Sequence, residues 1–395
     1  MKKLKNASLF IITLLLFVIL APSASAFANS PASCDGYGSE QCRSTKNGNI
    51  LSAKGVISQL KSATNTSKVI VGTNNRYTAK GNPTNYYRDI GIKYVVNGST
   101  VNNGYFSSMF DFNETIFGGS EKGWYDCKEI TPDDYKRCCF ETQAKMGDFG
   151  FVSNIIENHD EPRGVSHYIP EGDCCDTSKK MLAALNFMLR GLPFIYQGQE
   201  LGMINTHFDN IDELDDINSK GQFARCIEAG YSEAEAMESV NIRSRDQSRL
   251  PMQWNSDKNF GFSVHEPWLA CNNQCDLQTV ELESADKDSV LNFYKAMIQL
   301  RNHSEYTQTL IYGDLEDVET DNAGIIVYRR KPVQIECACG TGANAESTDR
   351  SVYVVVNMTG EDVGYAIPET ADVLMGNYAD YDGTLRPYET VVYAV

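Results

Sequence analysis

Apolar positions along this chain come in short runs that stop abruptly in polar clusters. Phe151-Val152 and Ile155-Ile156 make one strand-like run. It ends in Glu157-Asn158-His159-Asp160-Glu161-Pro162-Arg163, where Pro162 stops regular pairing. Leu182, Leu185, Met188 and Leu189 recur at helical spacing and predict a helix over 178–190, started by Ser178 or Thr177 and stopped by Gly191. Leu192 to Tyr196 reads as the next short buried strand, closed by Gly198. Strand, helix, strand, with polar residues at the strand ends, is the grammar of a βαβ unit and implies a parallel sheet.

Upstream, a helix-like stretch from Leu51 to Ala63 feeds the β run Lys68-Val69-Ile70-Val71. Residues 74–105 are rich in Asn and Tyr with little periodicity, a second apolar run covers 106–112, and Thr131-Pro132 opens a helical stretch over 133–146. Downstream, 205–245 is acidic and helical in composition and reads as a long insertion after a strand, while 288–301 is a capped amphipathic helix. From Tyr312 the period changes to alternation, at Ile325-Ile326-Val327-Tyr328, Val352 to Val356 and Val391 to Val395. That change marks an antiparallel β domain over 306–395.

The first residues read as an export signal. Lys2, Lys3 and Lys5 precede an apolar core from Leu9 to Ala21, and Ala24-Ser25-Ala26 is a small-x-small cleavage site. An uncleaved anchor is the rival reading of 1–26; no later segment is apolar enough to span a bilayer, so no membrane association is expected after cleavage. A polar lead-in over 27–48 follows. The net charge of −17 offers no basic stripe for phosphates and excludes nucleic acid as a partner. Twelve cysteines in an exported chain predict a disulfide set. Cys337-Ala338-Cys339 has no second ligand pair at zinc spacing, so neither metal nor cofactor is expected.

Several segments, in order, resemble one family. Asn158-His159-Asp160-Glu161-Pro162-Arg163 resembles the Asn-His-Asp-Gln-Pro-Arg motif of the α-amylase family of glycoside hydrolases, and 191–203 (Gly191-Leu192-Pro193-Phe194 onward) looks like its eighth barrel strand. Ser244-Arg245-Asp246-Gln247-Ser248-Arg249-Leu250-Pro251-Met252-Gln253-Trp254 is similar to a signature of the α-glucosidase and oligo-1,6-glucosidase branch. Residues 313–329 and Leu385-Arg386-Pro387-Tyr388-Glu389 resemble that branch's C-terminal β domain. The resemblance implies an α/β fold: a partial (β/α)8 TIM-type barrel over 49–305, about strands five to eight, followed by a small antiparallel β-sandwich. It also implies a retaining mechanism with an Asp nucleophile after strand four, a Glu acid/base after strand five and a second Asp after strand seven. On that mapping Asp160 takes the transition-state-stabilising position and binds the hydroxyls of an α-glucoside oligosaccharide, with His159 donating a hydrogen bond beside it. Arg163 either lines the pocket mouth and binds substrate or forms a structural ion pair.

The chain departs from the family pattern at the chemistry. It contains no Gly-x-Arg-x-Asp segment, where the nucleophile belongs, and the motifs of strands one to three are missing. Val69-Ile70-Val71-Gly72-Thr73 occupies the place of Thr-Val-Gly-Glu, so Thr73 stands at the acid/base position. A threonine hydroxyl cannot act as a general acid near neutral pH, and losing protonation forfeits roughly 10²–10⁴-fold in rate. Half a barrel also exposes sheet edges, which invites an edge-to-edge dimer or a complementing N-terminal half. The expectation is an exported α-glucosidase-like protein that binds α-glucosides without hydrolysing them alone. Two other readings stay open: an active retaining α-glycosidase, completed by a partner or by a displaced carboxylate at Asp111 or Glu114, and a non-enzymatic interaction protein.

Overall fold

The computed structural model describes residues 129–146, 151–272, 278–333 and 348–395, together with Lys122, Tyr125 and short strands at 44–46, 49–51, 94–96, 99–101 and 108–110. The expected leader, Thr73, Asp111, Glu114, the β run at 68–71 and the cysteines Cys34, Cys42, Cys127, Cys275, Cys337 and Cys339 lie outside the described residues. The chain divides into two bodies, Met1–Met109 with Met146–Phe151, and Phe110–Lys145 with Val152–Val395.

In the first body β1 (Ser44–Lys46) pairs antiparallel with β2 (Asn49–Leu51), and β3 (Tyr94–Val96) with β4 (Ser99–Val101). The two residues between the strands are Asn-Gly in both cases, the dipeptide favoured in two-residue hairpin connections. Periodicity misses both hairpins. Ser44–Lys46 reads as polar lead-in, Leu51 as a helix start and 94–101 as aperiodic, because three-residue strands are too short to display alternation. A further strand, β5 (Ser108–Phe110), follows.

In the second body β6 (Phe151–Asn154) and β7 (Leu192–Pro193) run parallel, with Ser153 opposite Leu192 and Asn154 opposite Pro193. Helices α1 (Gly164–Tyr168) and α2 (Asp176–Phe187) connect them, which is the predicted strand–helix–strand unit. Helix α2 is buried from Ser178 through Phe187 and forms the centre of the main core. The acidic insertion carries α3 (Ile217–Glu228), capped by Asp216, and α4 (Glu233–Arg243), opened by a Ser232–Glu235 capping box. Phe208, Leu214, Met237, Val240, Leu250 and Leu269 give this insertion a small core of its own. Helix α5 (Val290–Asn302) packs on α2.

The C-terminal sheet has the order β12-β14-β10-β9-β8 and is antiparallel throughout. Its strands are β8 (Leu315–Asp317), β9 (Ile325–Arg330), β10 (Val352–Asn357), β12 (Asp372–Gly376) and β14 (Thr390–Ala394). Ile326, Tyr328, Val352, Val354 and Val356 face the α2 core. Ile325, Val327, Val355 and Val391 turn to the other face, against Val363 of β11 (Val363–Gly364) and Leu385 of β13 (Thr384–Leu385). The expected alternation is replaced here by nearly unbroken Val and Ile runs, because the strands are buried on both faces.

The predicted disulfide set meets a different state at three positions: Cys174, Cys175 and Cys226 are thiols. Burial pushes the Cys174 thiol up to about 11, which starves it of the thiolate that exchange requires. Cys226 is buried in α3 and accepts a hydrogen bond from Gln222 Nε2 at 3.4 Å. Among the described residues no helix is long and apolar enough to cross a membrane.

Candidate functional site

The polar cluster predicted at the end of β6 is built by two segments that lock together. The first, 157–163, leaves the strand through a tight turn in which the Asp160 amide donates to Asn158 Oδ1 at 2.7 Å. The second is the 3-10 turn Arg245–Arg249, begun by the Ser244 hydroxyl accepting from the Asp246 amide. The Ser248 hydroxyl lies 2.8 Å from the Asn158 carbonyl and 2.7 Å from that of Glu161, while Arg249 Nε donates to the His159 carbonyl at 2.9 Å. Beneath them Arg243 pairs with Glu161 at 3.0 Å, both side chains buried.

Asp160 sits at the meeting point. Its Oδ1 accepts from Arg245 Nη1 at 3.2 Å and from Arg249 Nη2 at 3.3 Å, and its Oδ2 lies 3.5 Å from His159 Nε2. The Asp160 side chain is 27% exposed and that of His159 61%, so the carboxylate is accessible yet oriented. Arg245 also donates through Nε to Asp216 Oδ1 at 3.0 Å. Burial alone would raise the Asp216 carboxyl, but hydrogen bonds from Arg245 and Ser219 outweigh it and hold the group below its ordinary range. Asp246 is buried, accepts from the amides of Asp215 and Asp216 on Oδ2, and meets Arg249 Nη1 at 3.4 Å. Three carboxylates and two guanidiniums therefore form one connected network, in which Asp160, Arg245 and Arg249 are partly exposed and Asp216 and Asp246 are buried. The indole N–H of Trp268 donates to Asp215 Oδ2 at 2.7 Å at the edge of this network.

Arg163 is not part of it. Its guanidinium is buried, donates to Glu157 Oε1 at 2.9 Å and to the Gln197 carbonyl at 2.7 Å, and packs over the Tyr196 ring. The Arg163 side chain is 1% exposed in its ion pair with Glu157, whereas Asp160 is partly exposed. His159 and Asp160 are neighbours whose side chains approach to 3.5 Å; Thr73 lies outside the described residues. Arg245, Arg249, Asp216 and Asp246 join this cluster without being candidates from the sequence. The two arginines lie inside a segment already singled out as a motif, spaced four apart, and that spacing was the available signal. Asp216 offered none, since it is one of several acids between Asp209 and Asp216. Among the described residues no cluster of three or more metal-ligating side chains is present.

A family model described as the α-amylase catalytic domain matches residues 91–313. The chain belongs to the α-amylase family. This family member is 34% identical over 282 residues to the probable oligo-1,6-glucosidase 2 of Bacillus subtilis (strain 168), covering 69% of this chain and 47% of that protein. It is 31% identical to the oligo-1,6-glucosidase of Bacillus cereus, covering 72% and 50%. Among solved structures it resembles the trehalose-6-phosphate hydrolase of Bacillus licheniformis, with a TM-score of 0.63 and 29% identity over 73% of this chain and 51% of that one. It also resembles the isomaltulose synthase of Klebsiella sp. LX3, with a TM-score of 0.63 and 30% identity over 74% and 51%. The chain spans about half the length of the relatives it matches.

Proposed function

We propose that this α-amylase family member is an exported, α-glucosidase-like protein that binds α-glucosides at Asp160 and does not hydrolyse them on its own. The observation that carries the reading is the Asp160 carboxylate, accessible at a strand end and held on one oxygen by Arg245 and Arg249. The carboxylate stands beside the exposed His159 ring, where sugar hydroxyls could donate to it. Retaining hydrolysis needs a nucleophile and an acid/base as well. The sequence has no Gly-x-Arg-x-Asp segment and places Thr73 at the acid/base position. In this reading the chain carries about strands five to eight of the barrel, followed by a β-sandwich.

A second reading is a complete glycosidase assembled from this chain and a complementing N-terminal half, or from two copies meeting at an open sheet edge. Assay of the purified protein on p-nitrophenyl α-glucoside and isomaltose, with calorimetric titration of maltose, separates the two. Saturable maltose binding without turnover, lost in Asp160→Asn, is the expected result. Turnover abolished by Asp160→Asn overturns the inactive reading, and absence of both activities leaves a non-enzymatic interaction protein.

A further inference from the structure

Five Asn-x-Ser/Thr sequons follow the expected leader, at Asn65, Asn97, Asn113, Asn302 and Asn357. In an exported chain such a sequon is an acceptor for an N-linked oligosaccharide, a bulky group that must end on the surface. Asn302 and Asn357 are the two that fall among the described residues, and the fold treats them in opposite ways. Asn357 ends β10 and is wholly buried. Its Nδ2 donates to the carbonyls of Glu361 at 2.7 Å and Arg386 at 2.9 Å, and its Oδ1 accepts the Thr359 amide at 3.0 Å and the Thr359 hydroxyl at 2.7 Å. A sugar on Nδ2 would displace a proton that this network uses and would need room that a packed interior lacks. The folded chain therefore has no place for a glycan at Asn357.

Asn302 is the last residue of α5 and is exposed, and among the described residues no hydrogen bond engages its side-chain amide. The inward contacts of this turn belong to its neighbour Arg301, which donates to the carbonyls of Phe187, Leu189 and Gly191. Asn302 follows about 100° further round the helix. The rest of the sequon is tied down. His303 caps the helix, its amide donating to the Gln299 carbonyl at 2.9 Å, and the Ser304 hydroxyl donates to the Leu300 carbonyl at 2.6 Å while accepting the Tyr306 amide. An attached glycan would leave from a fixed helix end into solvent without displacing any of these bonds.

We propose that Asn302 is an N-glycosylation site and that Asn357, with an equally good sequon, is not. The donor is a lipid-pyrophosphate-linked oligosaccharide. The Asn302 amide nitrogen bonds to C1 of the first sugar, the C1–O bond to the pyrophosphate breaks, the lipid pyrophosphate leaves, and the amide gives up one proton. The proposal rests on the export reading, because that donor is met only along the secretory route. The test is secretion of the full chain from a eukaryotic host that glycosylates exported proteins, with peptide mass mapping before and after enzymatic removal of N-glycans. The Asn302 peptide should carry a glycan in most of the secreted protein and the Asn357 peptide none. Asn302→Gln and Ser304→Ala should each remove one glycan from the intact chain, while Ser304→Thr keeps it. A bare Asn302 in secreted, leader-cleaved wild type, or a glycan on Asn357, overturns the proposal and leaves the export reading standing. Wild type retained in the cytosol with its leader uncleaved overturns both.

Discussion

Arg163 and Glu157 form an ion pair at 2.9 Å with both side chains 1% exposed, six residues apart on either side of the Asn-His-Asp turn. Glu157 Oε2 also accepts the Gly164 amide at 2.6 Å, so the pair clasps the end of β6 to the start of α1. Burial pushes the Glu157 carboxyl above its usual range, opposed by Arg163 and the Gly164 amide. Removing one partner strands the other charge in the interior, which costs about 3–5 kcal/mol. Arg163→Met should therefore lower the urea midpoint sharply, and the double variant Glu157→Leu with Arg163→Met should regain much of the loss. Equal destabilisation in the single and double variants would show that the charge pair is not what holds the turn.

The C-terminal end of α2 is closed by two buried arginines rather than by a carboxylate partner. Arg301 donates to the carbonyls of Phe187, Leu189 and Gly191, and Arg330 to those of Met188 and Gly313. Cations at this end meet the negative pole of the helix and satisfy carbonyls left without intrahelical partners. Burial brings the Arg301 guanidinium down to about 10, so it stays charged at neutral pH. Arg330→Lys loses the fork that reaches two carbonyls, and should destabilise the protein by about 2 kcal/mol. Denaturant unfolding of the two proteins measures it; a change inside experimental scatter would mean that water replaces the fork.

What could be read in the sequence follows from length and periodicity. The β6–α2–β7 unit was legible because apolar positions repeat at helical spacing from Leu182 to Leu189, about two turns, between two short apolar runs. The C-terminal sheet was legible in the valine runs of β10 and β14. Asp160 and His159 stand out in the sequence through the resemblance of Asn158-His159-Asp160-Glu161-Pro162-Arg163 to the family motif. The rest depends on tertiary placement. A buried Arg163 and a solvated arginine look alike in sequence, and Arg245 acquires its role only when Asp160 and Asp216 converge on it.

Arg245 joins Asp160 to Asp216 and should matter for ligand binding through position. Arg245→Met removes one guanidinium from Asp160, and maltose affinity should fall about tenfold with the loss of a charge-assisted bond. Asp216→Asn offers the sharper measurement, because Asp216 is bound to Arg245 while the asparagine still caps α3. Its calorimetric titration should shift the same way by a smaller factor. Wild-type affinity in both variants would remove Arg245 from the site and leave Arg249 as the guanidinium that orients Asp160.

His167 gives the stability a dependence on acid. Both of its ring nitrogens are buried with no hydrogen-bond partner among the described residues, and burial together with the charge of Arg243 lowers its pKa to about 3. In the unfolded chain the same imidazole takes up a proton below its ordinary value of 6.5. The depressed folded pKa means that the unfolded state binds more protons between these limits. Stability is therefore complete above pH 6.5 and drains as pH falls toward 3. The steepest slope for one proton is about 1.4 kcal/mol per pH unit. Urea midpoints of the wild type and His167→Phe, followed from pH 7 to pH 4, isolate the contribution from that of the carboxylates. The variant should lose less stability than the wild type over this window, with the gap closing above pH 6.5. Parallel curves would mean that the folded imidazole protonates at its ordinary value and that water reaches its nitrogens.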